Sequence, residues 1–454
     1  MKSASVVWFR RDLRLADHPA LLAARDEADE VVALVVLDPR LLARPTARRD
    51  RWLASVAALR DACGGALVVR EGDPATVVPA VAAEVGSEHV HVTGESTPYG
   101  RRRDDAVRDA LRAESRDLVV TGSPYAVGPG RVTTQAGTPA RVFSAYARAW
   151  REHGWPAPAT SPRKVRWRRG LASDPLPRPS TDVGEVGERA ALRRWHAFRD
   201  ERLADYADQR DRPDLDTTSR LSIPLKYGEI HPRTLLADLA DVSRGGAAEA
   251  TRRFTDELAW REFYADVLHH HPRSAWSDLR DDLPLDYVGE GGDALEAWRA
   301  GRTGFPFVDA GMRQLRAEGW MHNRVRMVTA SFLVKDLHVW WPHGARHFLD
   351  LLLDGDVASN NHGWQWVAGT GTDAAPYVRV FNPVLQGRRF DPDGEYVRRW
   401  VPELRDLPGA SVHEPWRVPE AASDYPEPIV DHDTERREAL ARFAVARDRT
   451  AART

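Results

Sequence analysis

Short apolar runs separated by helical patterns open the chain. Val6–Phe9, Val31–Leu37, Ala66–Val69, His89–Thr93 and Leu118–Thr121 read as buried strands. Between them, Ala47–Asp61, Pro74–Glu84 and Arg101–Glu114 repeat apolar positions at helical spacing. Asp73-Pro74 supplies an N-cap followed by proline at the first helical position. This alternation predicts an α/β domain over residues 1–130 with a parallel, doubly wound sheet. No Gly-x-Gly-x-x-Gly follows the first run, so the usual dinucleotide turn is not expected there.

The texture changes over 131–184, where proline and arginine dominate: Trp155-Pro156-Ala-Pro158, Ser161-Pro162, and Asp174-Pro175-Leu-Pro177-Arg-Pro179. One helix is expected early in this stretch, ending near Trp150, and the remainder reads as an exposed connector rather than a nucleic-acid strip. From 185 to 454 the pattern is helical, with periodic stretches at Ala190–Gln209, Arg252–His270, Gly311–Glu318, Arg324–Leu337 and His347–Leu353. This predicts an all-α second domain. The charged tail of about 25 residues is expected to fray.

Composition narrows the picture. A chain of 454 residues exceeds one ordinary core. Its 65 basic and 67 acidic residues leave a net charge of -2, which argues against bulk attraction to nucleic acid but permits a local basic groove. Cys63 is the sole cysteine, so no disulfide within the chain and no cysteine metal cluster can form. With Met1-Lys2 running straight into the first strand, a reducing cytoplasm is expected. No apolar run is long enough to span a bilayer. Tryptophan is abundant, 16 residues against 12 Phe and 10 Tyr, and several fall in polar motifs.

The densest motif is Asp354-Gly-Asp356-Val-Ala-Ser-Asn360-Asn361-His362-Gly-Trp364-Gln-Trp366. Acids and amides among indoles cost free energy unless they find partners, which suggests a polar, aromatic ligand. Thr217-Thr218-Ser219-Arg220-Leu221-Ser222 offers hydroxyls and backbone amides ahead of a helix, an anion cradle or a plain cap. Arg326 with Asp354 and Asp356 is a charge cluster that a structural ion pair alone would explain. Glu257 and Arg261 make an i,i+4 pair that needs no function. Two patterns are set aside. His269-His270-His271 point in different directions on a helix, so no metal is expected. Gly369-Thr-Gly371-Thr-Asp-Ala374 follows no strand and is a chance match to the dinucleotide fingerprint.

Taken with Trp8-Phe9-Arg10-Arg11-Asp12-Leu13-Arg14 and Trp320-Met-His322-Asn323-Arg324-Val-Arg326-Met327, these motifs resemble, in order along nearly the whole chain, the photolyase/cryptochrome flavoproteins. Within that family they are most like the class I cyclobutane pyrimidine dimer photolyases. His18 departs from the usual Asn, and His362 from the usual Gly. The resemblance implies FAD, with Thr218, Ser219, Arg220, Leu221 and Ser222 at its phosphates and Tyr206 and Arg261 among its further contacts. It pairs Arg326 with Asp354 over the isoalloxazine, adds Asp356, and sets Asn323 and Asn360 near the reactive edge. It makes Trp260 and Trp366 the walls of a pocket for a flipped-out dipyrimidine, lined by Glu257, Asn323 and Met327. Arg324 and Arg379 match positions on the DNA backbone. Trp364 and Trp341 match two members of an electron relay; where the third is expected, Leu285–Gly292 holds no Trp, leaving Tyr287, Trp340 or Trp276 to substitute, or photoreduction to be poor.

Asn360, Met327 and the short tail favour repair of cyclobutane dimers by electron transfer from excited reduced FAD; the alternatives are (6-4) repair or cryptochrome signalling without repair. Outside photochemistry, the bland reading is a flavoprotein or DNA-binding module, which activity without light dependence would indicate. A second, antenna chromophore is implied on the N-terminal domain, with Arg49 and Glu95 as contacts. Glu95-Ser-Thr-Pro98-Tyr99-Gly100 resembles the subgroup that binds 8-hydroxy-deazaflavin rather than methenyltetrahydrofolate. The expected partner is dimer-containing DNA. A monomer is expected, with no metal and no obligate protein partner.

Overall fold

The computed structural model describes residues 4–162, 164–244, 248–280, 283, 285–289, 291–373 and 379–451. They form two compact units. The first comprises the described residues of Met1–Ala140, Ser144–Ala204 and Ser219–Pro272, and the second those of Arg141–Phe143, Asp205–Thr218 and Arg273–Thr454.

The first unit is built on β1 (Ala4–Phe9), β2 (Glu30–Leu37), β3 (Val68–Glu71), β4 (His89–Val92) and β5 (Asp117–Val120), in the order β3-β2-β1-β4-β5. All the pairings are parallel. Side chains alternate between two buried faces: Val7, Phe9, Ala33 and Val35 on one, Val6, Trp8, Val32 and Leu34 on the other. Burial on both faces explains the unbroken apolar runs. The order reverses at β1, so the chain leaves β1 and β4 at a topological switch point, where Arg10, Asp12 and Thr93 gather.

The helix Pro19–Glu27 was not legible, because its buried face is only Ala20, Leu21 and Ala24. Its N-cap is His18, whose Nδ1 accepts from the Leu21 amide at 3.1 Å while Nε2 lies 3.0 Å from Asp12. The imidazole thus does the capping work of a short amide side chain.

The stretch expected as an exposed connector is partly laid on the sheet. Because β3 pairs only with residues 34–37 of β2, the edge at Val31 is left open. There the Val31 amide donates to Arg166 and the Arg168 amide donates back to Val31, each at 2.8 Å. Val165, Trp167 and Leu176 pack against the core beneath. The expected helix is present at Phe143–His153.

Three helical expectations need correction. Ala190–Gln209 is not one helix: Glu188–Glu201 stops and a 3-10 turn, Leu203–Asp205, follows. Phe198 and Leu203 are both buried, and five residues is the wrong spacing for one helical face. Arg324–Leu337 is an α-helix, Asn323–Ser331, continued by a π-helix, Phe332–Asp336, in which the Leu337 amide donates to the Phe332 carbonyl at 3.0 Å. Among the described residues of the tail, His432–Ala451 is a helix where fraying was expected. It buries the small residues Ala439 and Ala446, a stripe too narrow to read, and docks through His432 to Asp336 at 2.5 Å and Glu435 to His338 at 2.8 Å.

The second unit is helical around a core that includes Trp298, Phe307, Trp341, Phe348, Trp364 and Tyr396. No described helix is long and apolar enough to cross a membrane.

Candidate functional site

In the second unit, the polar motifs converge on two helices. Asn323–Ser331 begins at His322, which is buried; its Nδ1 accepts from the Arg324 amide at 3.2 Å. Burial pushes this imidazole down to about 4, so it stays neutral and able to accept. The cap sets out the next turn. Asn323 is exposed and its amide reaches the Met327 sulfur at 3.9 Å. Arg324 bonds Asp211 at 2.9 Å and lies 4.4 Å over the Phe390 ring. Arg326 donates from Nε to the Met321 carbonyl at 2.7 Å and from Nη2 to Asp354 Oδ2 at 2.9 Å. Asp354 Oδ1 is buried and has no partner.

The second helix, Val357–Ala368, is capped by Asp356, whose Oδ1 accepts from Ala358 at 3.0 Å and Ser359 at 3.2 Å. Asn360 spends its amide hydrogens on the Ala345 carbonyl at 3.1 Å and Asn361 Oδ1 at 2.9 Å, so its own Oδ1 is the group it offers outward. On the opposite side, Asn361, His362 and Gln365 hold the turn before them. Asn361 bonds the Ala275 carbonyl. His362 Nδ1 donates to Ala358 at 2.8 Å, which makes Nε2 the acceptor for Ser274 Oγ at 2.9 Å. Gln365 bonds the Ser274 carbonyl and the Leu279 amide, both at 2.7 Å. The unusual His362 is therefore a fully buried strut.

The indoles of this helix separate. Trp364 is buried against Phe348 and Trp298, with ring centroids 5.0 and 6.0 Å away. Gly344 makes room for it: a Cβ there would come within 2.2 Å of the Trp364 ring. Trp366 is half-buried, with the Arg379 guanidinium 5.6 Å from its ring centroid. Trp341 is buried and donates to Asp278 Oδ1 at 2.7 Å, a partner that the sequence did not single out. Tyr206 is buried in this unit, and Thr217 and Thr218 each keep a buried hydroxyl without a partner. Ala374 of the glycine-rich match lies outside the described residues. No cluster able to hold a metal ion is present among the described residues.

In the first unit, Arg220 adopts a left-handed conformation, φ 50°, and the helix Ser222–Tyr227 follows. Only six residues long, this helix contributes little macrodipole. The Leu221 amide donates to Ser219 Oγ at 3.3 Å. The helix Ala248–His270 carries Glu257 and Trp260, both half-buried, with Trp260 5.3 Å from Tyr264 and 5.8 Å from Phe263. Arg261 does not face Glu257 as an isolated surface pair. It donates to the Pro124 carbonyl at 3.0 Å and the Leu225 carbonyl at 3.2 Å, 4.4 Å over Tyr125. The buried Glu262, also missed, accepts from Ala126, Val127 and Trp150 Nε1 at 2.5, 3.0 and 2.7 Å. Burial pushes its carboxyl up to about 7 against the pull of those donors.

At the switch point, Glu95 accepts from Ser96 at 2.8 Å and Thr97 at 3.0 Å. Burial pushes its carboxyl up, but Arg11 and Arg103 outweigh that and leave it below the usual range. A Cβ on Gly100 would lie 1.9 Å from Glu95 Cγ, so only glycine fits. Arg49, on the helix Ala47–Ala62, pairs with Asp50 at 3.2 Å.

The chain matches the family described as DNA photolyase over residues 5–163, and the FAD binding domain of DNA photolyase over residues 254–445. A deoxyribodipyrimidine photo-lyase of Streptomyces griseus is 44% identical, covering 98% of this chain and 99% of its own. A bacterial class III photolyase of Agrobacterium tumefaciens has a structure similar at TM-score 0.91 and 36% identity, covering 99% of this chain and 98% of its own. An archaeal photolyase from Sulfolobus tokodaii, solved with two FAD molecules, is similar at TM-score 0.82 and 28% identity, covering 97% of this chain and 100% of its own.

Proposed function

This chain belongs to the DNA photolyase family, and we propose that it splits cyclobutane pyrimidine dimers in DNA under light, with reduced FAD as the electron donor. The observation that carries this reading is the end-to-end likeness to a deoxyribodipyrimidine photo-lyase. The flavin supplies the chemistry: on excitation it can lend an electron to the dimer, whose ring then opens, with no net redox change.

The protein's part is to bind and orient. The unpartnered hydroxyls of Thr217 and Thr218 suit phosphate oxygens, and a role there extends to Ser219, Arg220, Leu221 and Ser222. The Arg326–Asp354 pair, with Asp354 Oδ1 still wanting a donor, suits a flavin ring edge, and Asn323 and Asn360 add amide groups. Tyr206, Arg261 and Asp356 complete the cofactor set, Asp356 by holding the helix that carries Asn360. Trp260 and Trp366 stack the extruded bases, while Glu257, Asn323 and Met327 meet their polar and methyl edges. Arg324 and Arg379 take the phosphodiester backbone. Trp364 and Trp341 pass electrons to the flavin. The domain division that goes with these roles is 1–130 for the antenna, 131–184 as connector and 185–454 for catalysis.

A second chromophore, 8-hydroxy-deazaflavin in preference to methenyltetrahydrofolate, is assigned to the region of Arg49 and Glu95 on the Tyr99-Gly100 sequence. The protein acts as a cytoplasmic monomer, consistent with its single, buried cysteine.

The test is a repair assay with the reduced protein on oligonucleotides bearing either a cyclobutane thymine dimer or a (6-4) product, in blue light and in darkness. Light-dependent loss of the cyclobutane lesion alone is expected. Repair of the (6-4) lesion alone overturns the reading of Asn360 and Met327. No repair of either, with flavin bound and reduced, moves the protein to the cryptochrome class.

A further inference from the structure

The relay proposed above lacks a tryptophan at its outer end, and three aromatic residues compete for that place. The geometry points to Trp340 as the terminal electron donor, an inference that rests on the photochemical reading of Trp364 and Trp341. Trp340 adjoins Trp341 in sequence and in space: the ring centroids are 6.4 Å apart with an interplanar angle of 67°. Trp341 is fully buried, whereas Trp340 is half-buried and packs on the edge of the same core. An electron hole formed inside therefore reaches solvent by one step along the chain.

The two rivals carry specific handicaps. Tyr287 has a buried hydroxyl with no hydrogen-bond partner. Oxidising a phenol requires its proton to leave, and this one has no acceptor. Trp276 is 37% exposed, but the Arg346 guanidinium sits 4.9 Å over its ring. A fixed positive charge on that face disfavours a second one on the indole. Trp340 has neither handicap: an indole can be oxidised before it loses its proton.

Trp341 is prepared for the exchange. Its Nε1 donates to Asp278 Oδ1 at 2.7 Å, so a carboxylate steadies positive charge on that ring while Trp340 refills it. The electron balance is closed. With oxidised flavin bound and excited, Trp364 would pass it one electron that Trp341 supplies, and Trp340 would restore Trp341. The oxidised Trp340 loses its N–H proton to water. An external thiol then returns one hydrogen atom to Trp340 and becomes a thiyl radical.

The test uses the flavin-loaded protein with oxidised flavin, blue light and a thiol. Transient absorption follows the tryptophanyl radical, and steady absorbance follows flavin reduction. Trp340→Phe should keep the flavin content and melting temperature, lose most of the photoreduction yield and shorten the life of the charge-separated state. Tyr287→Phe and Trp276→Phe should change neither. Trp340→Tyr, in contact with solvent, should recover part of the yield. Wild-type photoreduction in Trp340→Phe, with loss in either of the other two, overturns the assignment. Trp364→Phe separates the levels: if it also photoreduces normally, the relay reading itself fails.

Discussion

Arg326 Nη2 lies 2.9 Å from Asp354 Oδ2, and the other carboxylate oxygen of Asp354 is buried with no partner. A pair made only to stabilise the fold would use both oxygens, because an unsatisfied buried acceptor costs about 1–3 kcal/mol. The spare oxygen is best explained by a donor on a bound ligand. Asp354→Asn keeps the shape but removes the charge that holds Arg326. The variant should lose most of its bound flavin on gel filtration while unfolding in urea within about 1–3 kcal/mol of the parent apoprotein. Undiminished flavin retention would sink the assignment of Asp354 to the cofactor.

Glu262 receives three N–H donors, from Ala126, Val127 and Trp150. Glu262→Gln turns one acceptor oxygen into an NH₂ that faces a donor. Urea unfolding at neutral pH should show a loss of about 1–3 kcal/mol, with Trp150 fluorescence reporting the local change. Stability equal to wild type would mean that the loop 126–127 does not depend on this carboxylate.

How much of this was legible depends on what each signal requires. The central strands β1 and β2 were the most legible, because burial on both faces leaves Val6–Phe9 and Val31–Leu37 apolar throughout. The acid-amide-indole motif was legible because its residue types are expensive in a core. The resemblance also named Arg326 and Asp354 as partners, and they are paired. Asp278 and Glu262 escaped notice because a lone acid looks like surface until the fold supplies an indole N–H or a loop amide. The π-helix at Phe332–Asp336 has no sequence period of its own. It becomes intelligible only when the neighbouring Lys335 and Asp336 are seen reaching different partners, the Ala368 carbonyl and His432.

His322 makes acid stability a test of the helix that presents Asn323 and Arg326. Its imidazole titrates near 6.5 when free and at about 4 in the fold, because burial disfavours the charged form. As pH falls from 6.5, the unfolded chain takes up a proton that the folded protein refuses until about 4. Stability is therefore full above 6.5 and declines across that window, by about 3 kcal/mol from this group. His322→Asn keeps an acceptor at the cap and removes the titration, so its stability measured from pH 7 to 4 should decline less than wild type by about that amount. Parallel pH profiles for the two proteins would contradict the buried, neutral cap.

Gly100 is the residue on which the Glu95 loop closes, since a Cβ there would lie 1.9 Å from Glu95 Cγ. Gly100→Ala must push Glu95 off the Ser96 and Thr97 amides, at a cost of about 1–3 kcal/mol. If Glu95 helps to hold an antenna chromophore, the variant should keep its FAD but lose the second chromophore when both are extracted and separated. Retention of both would remove Glu95 from the antenna site.

Arg379 and Arg324, both proposed to take the phosphodiester backbone, differ in their surroundings. Arg324 is half-buried and bonds Asp211 at 2.9 Å; Arg379 is exposed, with its guanidinium 5.6 Å from the Trp366 ring centroid. Arg379 is the more exposed of the two, so its replacement should have the larger effect on binding. Removing one arginine–phosphate interaction lowers the slope of log K against log salt by about 1. Arg379→Ala should weaken binding to damaged and undamaged DNA alike and flatten that slope by about this amount, while Arg324→Ala also frees Asp211 and changes protein stability as well. The comparison is a salt titration of binding to a dimer-bearing oligonucleotide and to its undamaged control. A loss confined to the damaged strand would instead assign Arg379, through its place beside Trp366, to the lesion rather than to the backbone.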